Sequence, residues 1–327
     1  MIKILIIRFS SIGDIVLTSP VIRALHNLPQ RPEIHFIVKE KFVQTLIHNP
    51  YINKLYTIEK EITEVLSDLK SENYDYIIDL HSNLRSKRLK MALTSKSYSF
   101  NKLNIRKWLS IKLKYNLLPD IHIVDRYMET IAFLGTQNDG LGLDYFISEQ
   151  DRKQTSELIA KFKNAYHVFV IGGAHFTKQI PSELLIKIAN SSTLPIILVG
   201  GPEDRAKGEF IIENSNGNIF NACGVFNLNE SASIIEQCRK VVSSDTGMMH
   251  IASAFQKPIL SIWGNTIPEF GMSPYFAENK KQNNHIFEVQ ELSCRPCSKI
   301  GYKACPKKHF NCMYQIDTDS IIKTLNN

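Results

Sequence analysis

Val241-Val242-Ser243-Ser244-Asp245-Thr246-Gly247-Met248-Met249-His250-Ile251-Ala252-Ser253-Ala254-Phe255 runs from an apolar strand through a small-residue turn straight into a helical pattern. A helix that starts at Thr246-Gly247 leaves its first backbone N–H groups without intrahelical partners, and the positive end of its dipole points the same way. A diphosphate suits that position. Asp245 ends the strand and His250 lies four residues past Thr246 on the same helical face, so carboxylate, hydroxyl, amides and imidazole can converge on one ligand. The competing reading of this segment alone is that Ser244 and Asp245 cap a core helix.

A second segment repeats the pattern. The run 2–7 makes a strand, and Arg8-Phe9-Ser10-Ser11-Ile12-Gly13-Asp14-Ile15-Val16 makes a Ser-Ser-plus-Gly turn into a helix. Pro20 then sits in the first turn of a further helix, with Val21, Ile22, Leu25 and Leu28 at core spacing. One glycine is not a dinucleotide fingerprint, which needs three in G-x-G-x-x-G. Asp14 is either a first-turn acid favoured by the helix dipole or a carboxylate at a site mouth, able to accept a proton.

The rest of the chain alternates strand and helix. Strands are expected at 34–38, 54–58 and 75–80, with helices at 41–48, 62–72 and 122–134. After a loosened stretch at 140–165, strands follow at 167–171, 195–199, 218–222, 239–243 and 258–263, separated by helices at 181–190, 202–214, 228–237 and 248–255. This rhythm predicts α/β architecture: two Rossmann-like, doubly wound parallel sheets, taken as domains 1–155 and 156–327. Ligands of such sheets gather at the carboxyl ends of strands. There the chain carries Asp79 to Ser86, Gly172-Gly173-Ala174 with Lys178 just beyond, and Gly200-Gly201-Pro202-Glu203-Asp204. Lys178 is a natural phosphate countercharge or an ordinary loop lysine. Glu203 or Asp204 would bond ribose hydroxyls or cap the next helix.

With 327 residues, 43% hydrophobic and 22% charged, the chain can bury two cores. The opening apolar run is too short to span a membrane and leads into a polar turn, so the protein is expected in the cytoplasm, its six cysteines reduced. The net charge of +7 is concentrated: positions 81–119 hold ten Lys or Arg and no acid. Interleaved Leu84, Leu89, Met91, Leu93, Trp108, Leu109, Ile111 and Leu113 suggest amphipathic segments suited to an anionic membrane surface or a phosphorylated amphiphile; nucleic acid and a merely solvated face compete. In the tail, Cys294-Arg295-Pro296-Cys297 with Cys305 and Cys312 resembles a structural zinc site, but the later pair is too widely spaced for the usual hairpin, which favours buried thiols. A closing helix is expected at 316–325.

Taken together, the turn ending in Asp14, the turn from Ser244 to His250 followed by Lys257-Pro258, and the tail up to Cys312-Met313 resemble glycosyltransferase family 9, the bacterial ADP-heptose:lipopolysaccharide heptosyltransferases. Asp79–Ser86 and His122–Tyr127 resemble family segments more weakly. The resemblance implies a GT-B fold whose two domains face one cleft, the acceptor held by the N-terminal half and the nucleotide sugar by the C-terminal half. It implies inverting transfer of a heptose from an ADP-sugar to a lipid A–inner-core acceptor, with no cofactor and no metal ion. Asp14 would be the general base and Lys178 would steady the leaving diphosphate. Donor contacts are expected from Gly173, Glu203, Asp204, Asp245, Thr246, Gly247, Met248 and His250. Acceptor contacts are expected from Ser10, Ser11, Gly13, His81, Asn83, Arg85, Ser86 and Arg126. The partners implied are a nucleotide-sugar donor, an anionic lipid-linked saccharide and the inner-membrane surface, with no nucleic acid, for a monomer. The chain departs from the family at Ile171-Gly172-Gly173, where a Pro-Gly pair is frequent, and at Asn265, where a proline is common. Open alternatives are another nucleotide sugar and surface glycan, a nucleotide-sugar epimerase, or a non-catalytic binding module.

Overall fold

The computed structural model describes residues 2–163 and 165–327. The chain divides into two compact units: Met1–Lys102 with Ile121–Phe146, and Leu103–Asp120 with Ile147–Asn327. In the first unit β1 (Lys3–Ile7), β2 (Glu33–Lys39), β3 (Lys54–Ile58), β4 (Tyr76–Asp79) and β5 (Lys96–Ser99) form a sheet in the order β3-β2-β1-β4-β5. In the second, β6 (His167–Val170), β7 (Ile196–Val199), β8 (Ile219–Asn221), β9 (Val241–Ser244), β10 (Ile259–Trp263) and β11 (Asn284–Glu288) take the order β11-β10-β9-β6-β7-β8. Every pairing is parallel.

Parallel strands covered by helices on both faces read as unbroken apolar runs, because successive side chains point to opposite, equally buried faces. The second unit shows this residue by residue. Phe169 and Ile171 join Leu198, Val242, Leu260 and Ile262 in one core, whereas Val168 and Val170 join Ile197, Val199, Val241 and Trp263 in the other. In the first unit Leu5, Ile7, Ile37 and Ile77 pack with Phe9, Leu69 and Leu89. Each strand order reverses once, at β1/β4 and at β6/β9. In open parallel sheets ligands gather at such switch points, at the carboxyl ends of the central strands. The Arg8–Asp14 turn leaves β1 and the Asp79–Ser86 loop leaves β4; the Gly172–Gly173 turn leaves β6 and the Asp245–Gly247 turn leaves β9.

The division falls at Phe146/Ile147 and differs from the expected 155/156. A cut there would sever the helix Glu149–Lys161, which Arg152 ties to the helix Leu228–Gln237 through Glu236 at 2.9 Å, and Thr155 through Ser233 at 3.0 Å. Leu103–Asp120, expected with the acceptor half, groups with the second unit instead: Lys114 Nζ donates to the carbonyls of Cys294 at 3.1 Å and Pro296 at 2.8 Å.

His167 opens β6 only 2% exposed, with no hydrogen-bond partner on either ring nitrogen. Burial, with some help from Lys240, pushes its pKa down to about 4. Since the folded value lies below the unfolded one, its contribution to stability is complete above about pH 6.5 and is lost as pH falls through about 4. His167→Leu should therefore flatten acid destabilisation across that window, by up to about 1.4 kcal/mol per pH unit for one proton. Urea midpoints at neutral and mildly acidic pH measure this; identical slopes for both proteins would refute it.

Candidate active site

In the first unit the switch point is organised by Arg8. Its Nη2 meets Asp14 Oδ1 at 2.6 Å, Nε donates to the Ser10 carbonyl at 2.8 Å, and Nη1 donates to the Leu80 carbonyl and, at 3.0 Å, to the Tyr127 hydroxyl. Burial opposes the guanidinium charge, but the Asp14 carboxylate and its other neighbours more than restore it. Asp14 Oδ2 accepts from the Ser11 hydroxyl at 2.9 Å and the Ser11 N–H at 3.3 Å, capping the short helix Ile12–Val16. The carboxylate is thus aimed by a buried cation and a turn, while its side chain keeps 21% of its surface open. Gly13 is buried within this helix.

Phe9, fully buried, carries two further candidates. His81 packs edge-on against its ring at 5.1 Å, and the Arg85 guanidinium lies 5.9 Å from the ring centre. Burial and then the charge of Arg8 lower the His81 pKa to about 4. At neutral pH it offers an uncharged imidazole, with Nδ1 buried and unpartnered. The loop beyond β4 has a different job. Asp79 accepts from the N–H groups of His81 and Ser82 at 3.1 and 2.7 Å, and from the Ser86 hydroxyl at 2.8 Å, with Lys90 at 3.0 Å. Asn83 and Ser86 close a reciprocal cap on the helix Leu84–Leu93 at 2.9 Å each way. Ser86 is fully buried and spent on this cap, and exposed Asn83 commits its amide oxygen to the Ser86 N–H, so these two support the loop. Arg126 is 3% exposed and donates to the Asn101 carbonyl at 3.1 Å, which makes it a brace within the unit.

In the second unit the turn beyond β9 is not a cap. The N-cap of the helix Gly247–Ala254 is Thr246, whose side chain makes no capping bond; its hydroxyl meets Ser243 Oγ at 3.2 Å. Asp245, the alternative cap, turns to Lys178 Nζ at 2.6 Å and to the Thr266 hydroxyl at 3.1 Å. The first-turn amides of this helix therefore have no side-chain acceptor, the condition for holding an anion. The ion pair spans the switch point, since Lys178 follows β6 and Asp245 follows β9. Gly173 lies alongside: a Cβ there would stand 3.3 Å from Gln179 Cγ and 3.8 Å from Thr246 Cγ2. Met248 is half-buried, whereas His250 is 1% exposed and packs into the interior.

The third turn separates its two acids. Asp204 is 5% exposed, accepts from the Gly201 N–H at 2.9 Å and fills space that glycine leaves: a Cβ on Gly172 would come within 2.3 Å of its Oδ2. It knits the β6 and β7 turns together. Glu203 is exposed.

Sequence reading assigned no role to two supporting residues. Lys207 reaches under the β6 turn and donates to the carbonyls of Ile171 at 3.1 Å and Ile180 at 2.8 Å, pinning both ends of the loop that bears Lys178. Burial lowers its pKa to about 8. Arg295 of the cysteine tail donates to the carbonyls of Gly264 at 2.6 Å and Thr266 at 3.1 Å and to Glu288 at 2.7 Å, fixing Thr266 where it bonds Asp245. Asn265 between them is 1% exposed, with neither amide atom hydrogen-bonded. A lysine on a helix and an arginine in a Cys-x-x-Cys motif look alike from sequence whether or not they reach across to another element.

Among the described residues, the one group of three potential metal ligands within 4.8 Å of one another is Glu33, His35 and Glu72. It lies at the amino ends of β1 and β2, away from Asp14, and Glu72 is already neutralised by Lys3 at 2.5 Å and Lys54 at 2.7 Å. No three of the cysteine sulfurs meet that distance, and burial raises the Cys297 thiol pKa and pushes that of Cys312 up to about 12, keeping them protonated.

The sequence profile of glycosyltransferase family 9 (heptosyltransferase) matches residues 62–306. The chain belongs to that family. The matched span of this family 9 member includes the Asp79 loop, Lys178 and the Asp245–Gly247 turn and begins after Asp14. Similarity over nearly the full length comes from lipopolysaccharide heptosyltransferase 1 of Campylobacter coli, 26% identical over 98% of this chain and 97% of that protein. Lipooligosaccharide heptosyltransferase 2 of Haemophilus ducreyi is 25% identical over 82% of this chain and 85% of its own. Among solved structures, a glycosyl transferase family 9 protein from Veillonella parvula superposes with a TM-score of 0.78 at 21% identity, covering 98% of this chain and 95% of that one. The Escherichia coli heptosyltransferase WaaC with ADP gives 0.67 at 19%, covering 99% of each. These likenesses establish the GT-B fold for the family 9 chain. Among its described residues no helix is long and apolar enough to cross a membrane.

Proposed function

We propose that this family 9 glycosyltransferase moves a heptose from ADP-heptose to a hydroxyl of a lipid A-linked inner-core saccharide, with inversion at the anomeric carbon. The observation that carries the reading is the β6/β9 switch point, where an uncapped helix start at Thr246-Gly247 stands beside the Lys178 ammonium. That pairing suits a diphosphate. Family membership and the names of the relatives support heptose as the group transferred.

The chemistry follows from the residues. The acceptor oxygen forms a bond to the anomeric carbon as the bond from that carbon to the diphosphate breaks. The acceptor proton passes to Asp14, which Arg8 and Ser11 hold in place. ADP departs as an anion, so a single carboxylate suffices for inversion, and the leaving oxygen needs charge stabilisation rather than a proton. Lys178 and the amides of Gly247 and Met248 supply it, the task a divalent cation performs in other sugar transferases. Asp245, paired with Lys178 and Thr266, positions the ammonium and leaves its remaining lone pairs for hydroxyls of the sugar. Glu203 is the acid free to meet the ribose, since Asp204 is folded inward. His81 and Arg85 offer a neutral imidazole and a cation to a phosphorylated acceptor. The acceptor's lipid implies work at the inner face of the cytoplasmic membrane.

The test is turnover with ADP-heptose beside UDP- and GDP-sugars on a deacylated, lipid-free acceptor. ADP-heptose is expected to be consumed fastest, with ADP as product; preferential use of another donor would overturn the donor assignment. Buried, unpaired Asn265 favours that second reading, a different sugar in the same fold, because it stands beside Thr266.

A further inference from the structure

The helix Asn104–Lys112 is inside out for a solvated surface helix. The side chain it buries is Ser110, 2% exposed, whereas Ile105 and Trp108, one turn apart, are 77% and 54% exposed. Beyond its end Leu113, Tyr115 and Leu117 are 52%, 67% and 58% exposed. Scattered exposed apolar side chains are ordinary, but five between positions 105 and 117 form a patch that asks for an occupant. Arg106, Lys107, Lys112 and Lys114 alternate with them, and no acid occurs between Asp79 and Asp120.

Two of the ties that hold the segment to its own unit are made by cations. Lys107 lies over the Phe270 ring at 5.5 Å, and Lys114 holds the carbonyls of Cys294 and Pro296. These two cations brace the segment while the five apolar side chains are left outside. The helix Leu84–Leu93 is arranged differently: it also exposes Leu84 and Met91, but it buries Leu89 against the first unit's core and carries no aromatic residue.

We propose that residues 104–117 are an interfacial anchor that seats Ile105, Trp108, Leu113, Tyr115 and Leu117 in an anionic phospholipid surface. Aliphatic side chains enter the acyl boundary, the indole and phenol rings sit at headgroup level, and exposed Arg106 and Lys112 face the lipid phosphates. Charge calls for an anionic occupant, and the aliphatic side chains decide which one. An aromatic-cationic patch would also attract RNA, but exposed Ile105, Leu113 and Leu117 have no role against bases. The inference deepens the proposed function, from which it takes a lipid-borne acceptor, and it requires this segment of the second unit to reach the bilayer on its own account.

The intact chain reports on this directly. It has two tryptophans, and Trp263 is 1% exposed, so a blue shift of emission on adding vesicles comes from Trp108. Vesicles containing phosphatidylglycerol should produce that shift and carry the protein down on sedimentation; pure phosphatidylcholine should do so at least ~5-fold less, the loss expected from one cation's attraction. Ile105→Ser with Trp108→Ser should weaken sedimentation with anionic vesicles at least ~10-fold. The same variant should keep the thermal midpoint and the turnover of the lipid-free acceptor, a readout that stands or falls with the transferase reading alone. Unchanged vesicle binding by the double variant, no blue shift with anionic vesicles, or RNA binding in place of vesicle binding would overturn the anchor.

Discussion

Asp14→Asn is expected to lower turnover at least ~100-fold while leaving ADP affinity within about twofold. The amide is isosteric and can still accept from the Ser11 hydroxyl, which now lies 2.9 Å from Oδ2, so the turn keeps its shape. It cannot take a proton. The carboxylate also answers Arg8 at 2.6 Å, and its loss leaves a buried guanidinium with three neutral partners: the carbonyls of Ser10 and Leu80 and the hydroxyl of Tyr127. A lower melting temperature should therefore accompany the kinetic loss. Kinetics run well below that temperature, with ADP titration as the folding control, separate the two effects. Undiminished turnover with a folded protein would remove Asp14 from the mechanism.

Lys178→Ala should cost about 100- to 1000-fold in kcat, the range seen when one donor aimed at developing negative charge is removed. The structure makes the expectation specific. Lys178 has one acidic partner, Asp245 at 2.6 Å, and that acid keeps its bond from Thr266, so truncation leaves the turn supported. Lys178 is 18% and Asp245 11% exposed, so truncation strips a largely buried carboxylate of its countercharge, and a lower melting temperature should accompany weaker ADP binding. Lys178→Arg restores charge but not a compact ammonium, and should recover affinity more than rate. A Lys178→Ala enzyme with wild-type kcat would show that the helix amides alone carry the leaving group.

The supports behind Lys178 explain why the peripheral tail matters to the second switch point. Arg295 reaches from between two cysteines to the loop that holds Thr266, and Tyr302 exchanges bonds with Thr177, its N–H donating to the Thr177 hydroxyl at 2.8 Å. The tail therefore braces both turns of the second switch point from outside. Gly301, at φ +118°, lets the tail pass within contact of His175; a side chain there would be strained and would meet His175 Cβ at 2.6 Å.

The fold was legible wherever strands are buried on both faces. β1, β2, β6, β7, β9 and β10 announce themselves as Ile-, Val- and Leu-rich runs, because nothing else tolerates their two packed faces. The two strands that escaped notice are edges. β5, Lys-Ser-Tyr-Ser, leaves three of four residues exposed, and β11 is only half-buried, so neither carries the apolar signal. The helix Glu149–Lys161 was missed for a related reason: it buries Asp151, Thr155, Leu158 and Ile159 and is otherwise charged. Its stability comes from the capping bonds of Ser148 and from docking on a neighbour. The domain limit shifted with it.

What the sequence by itself determined is the pair of α/β units and the chemistry at their strand ends: an acid after β1, a glycine pair and a lysine after β6, and a small-residue helix start after β9. Those features are local, set by two-residue and 3.6-residue periods and by residue types that only turns accommodate. Only the tertiary structure decided which of the candidates are free to act. Ser86, Asp204 and Arg126 turned out to be spent on caps and carbonyls, while Arg8, Lys207 and Arg295 proved to hold the rest in place. A buried polar atom is committed by whichever partner the packing brings within about 3 Å, often more than seventy residues away as with Arg8 and Leu80, and no local pattern encodes that meeting.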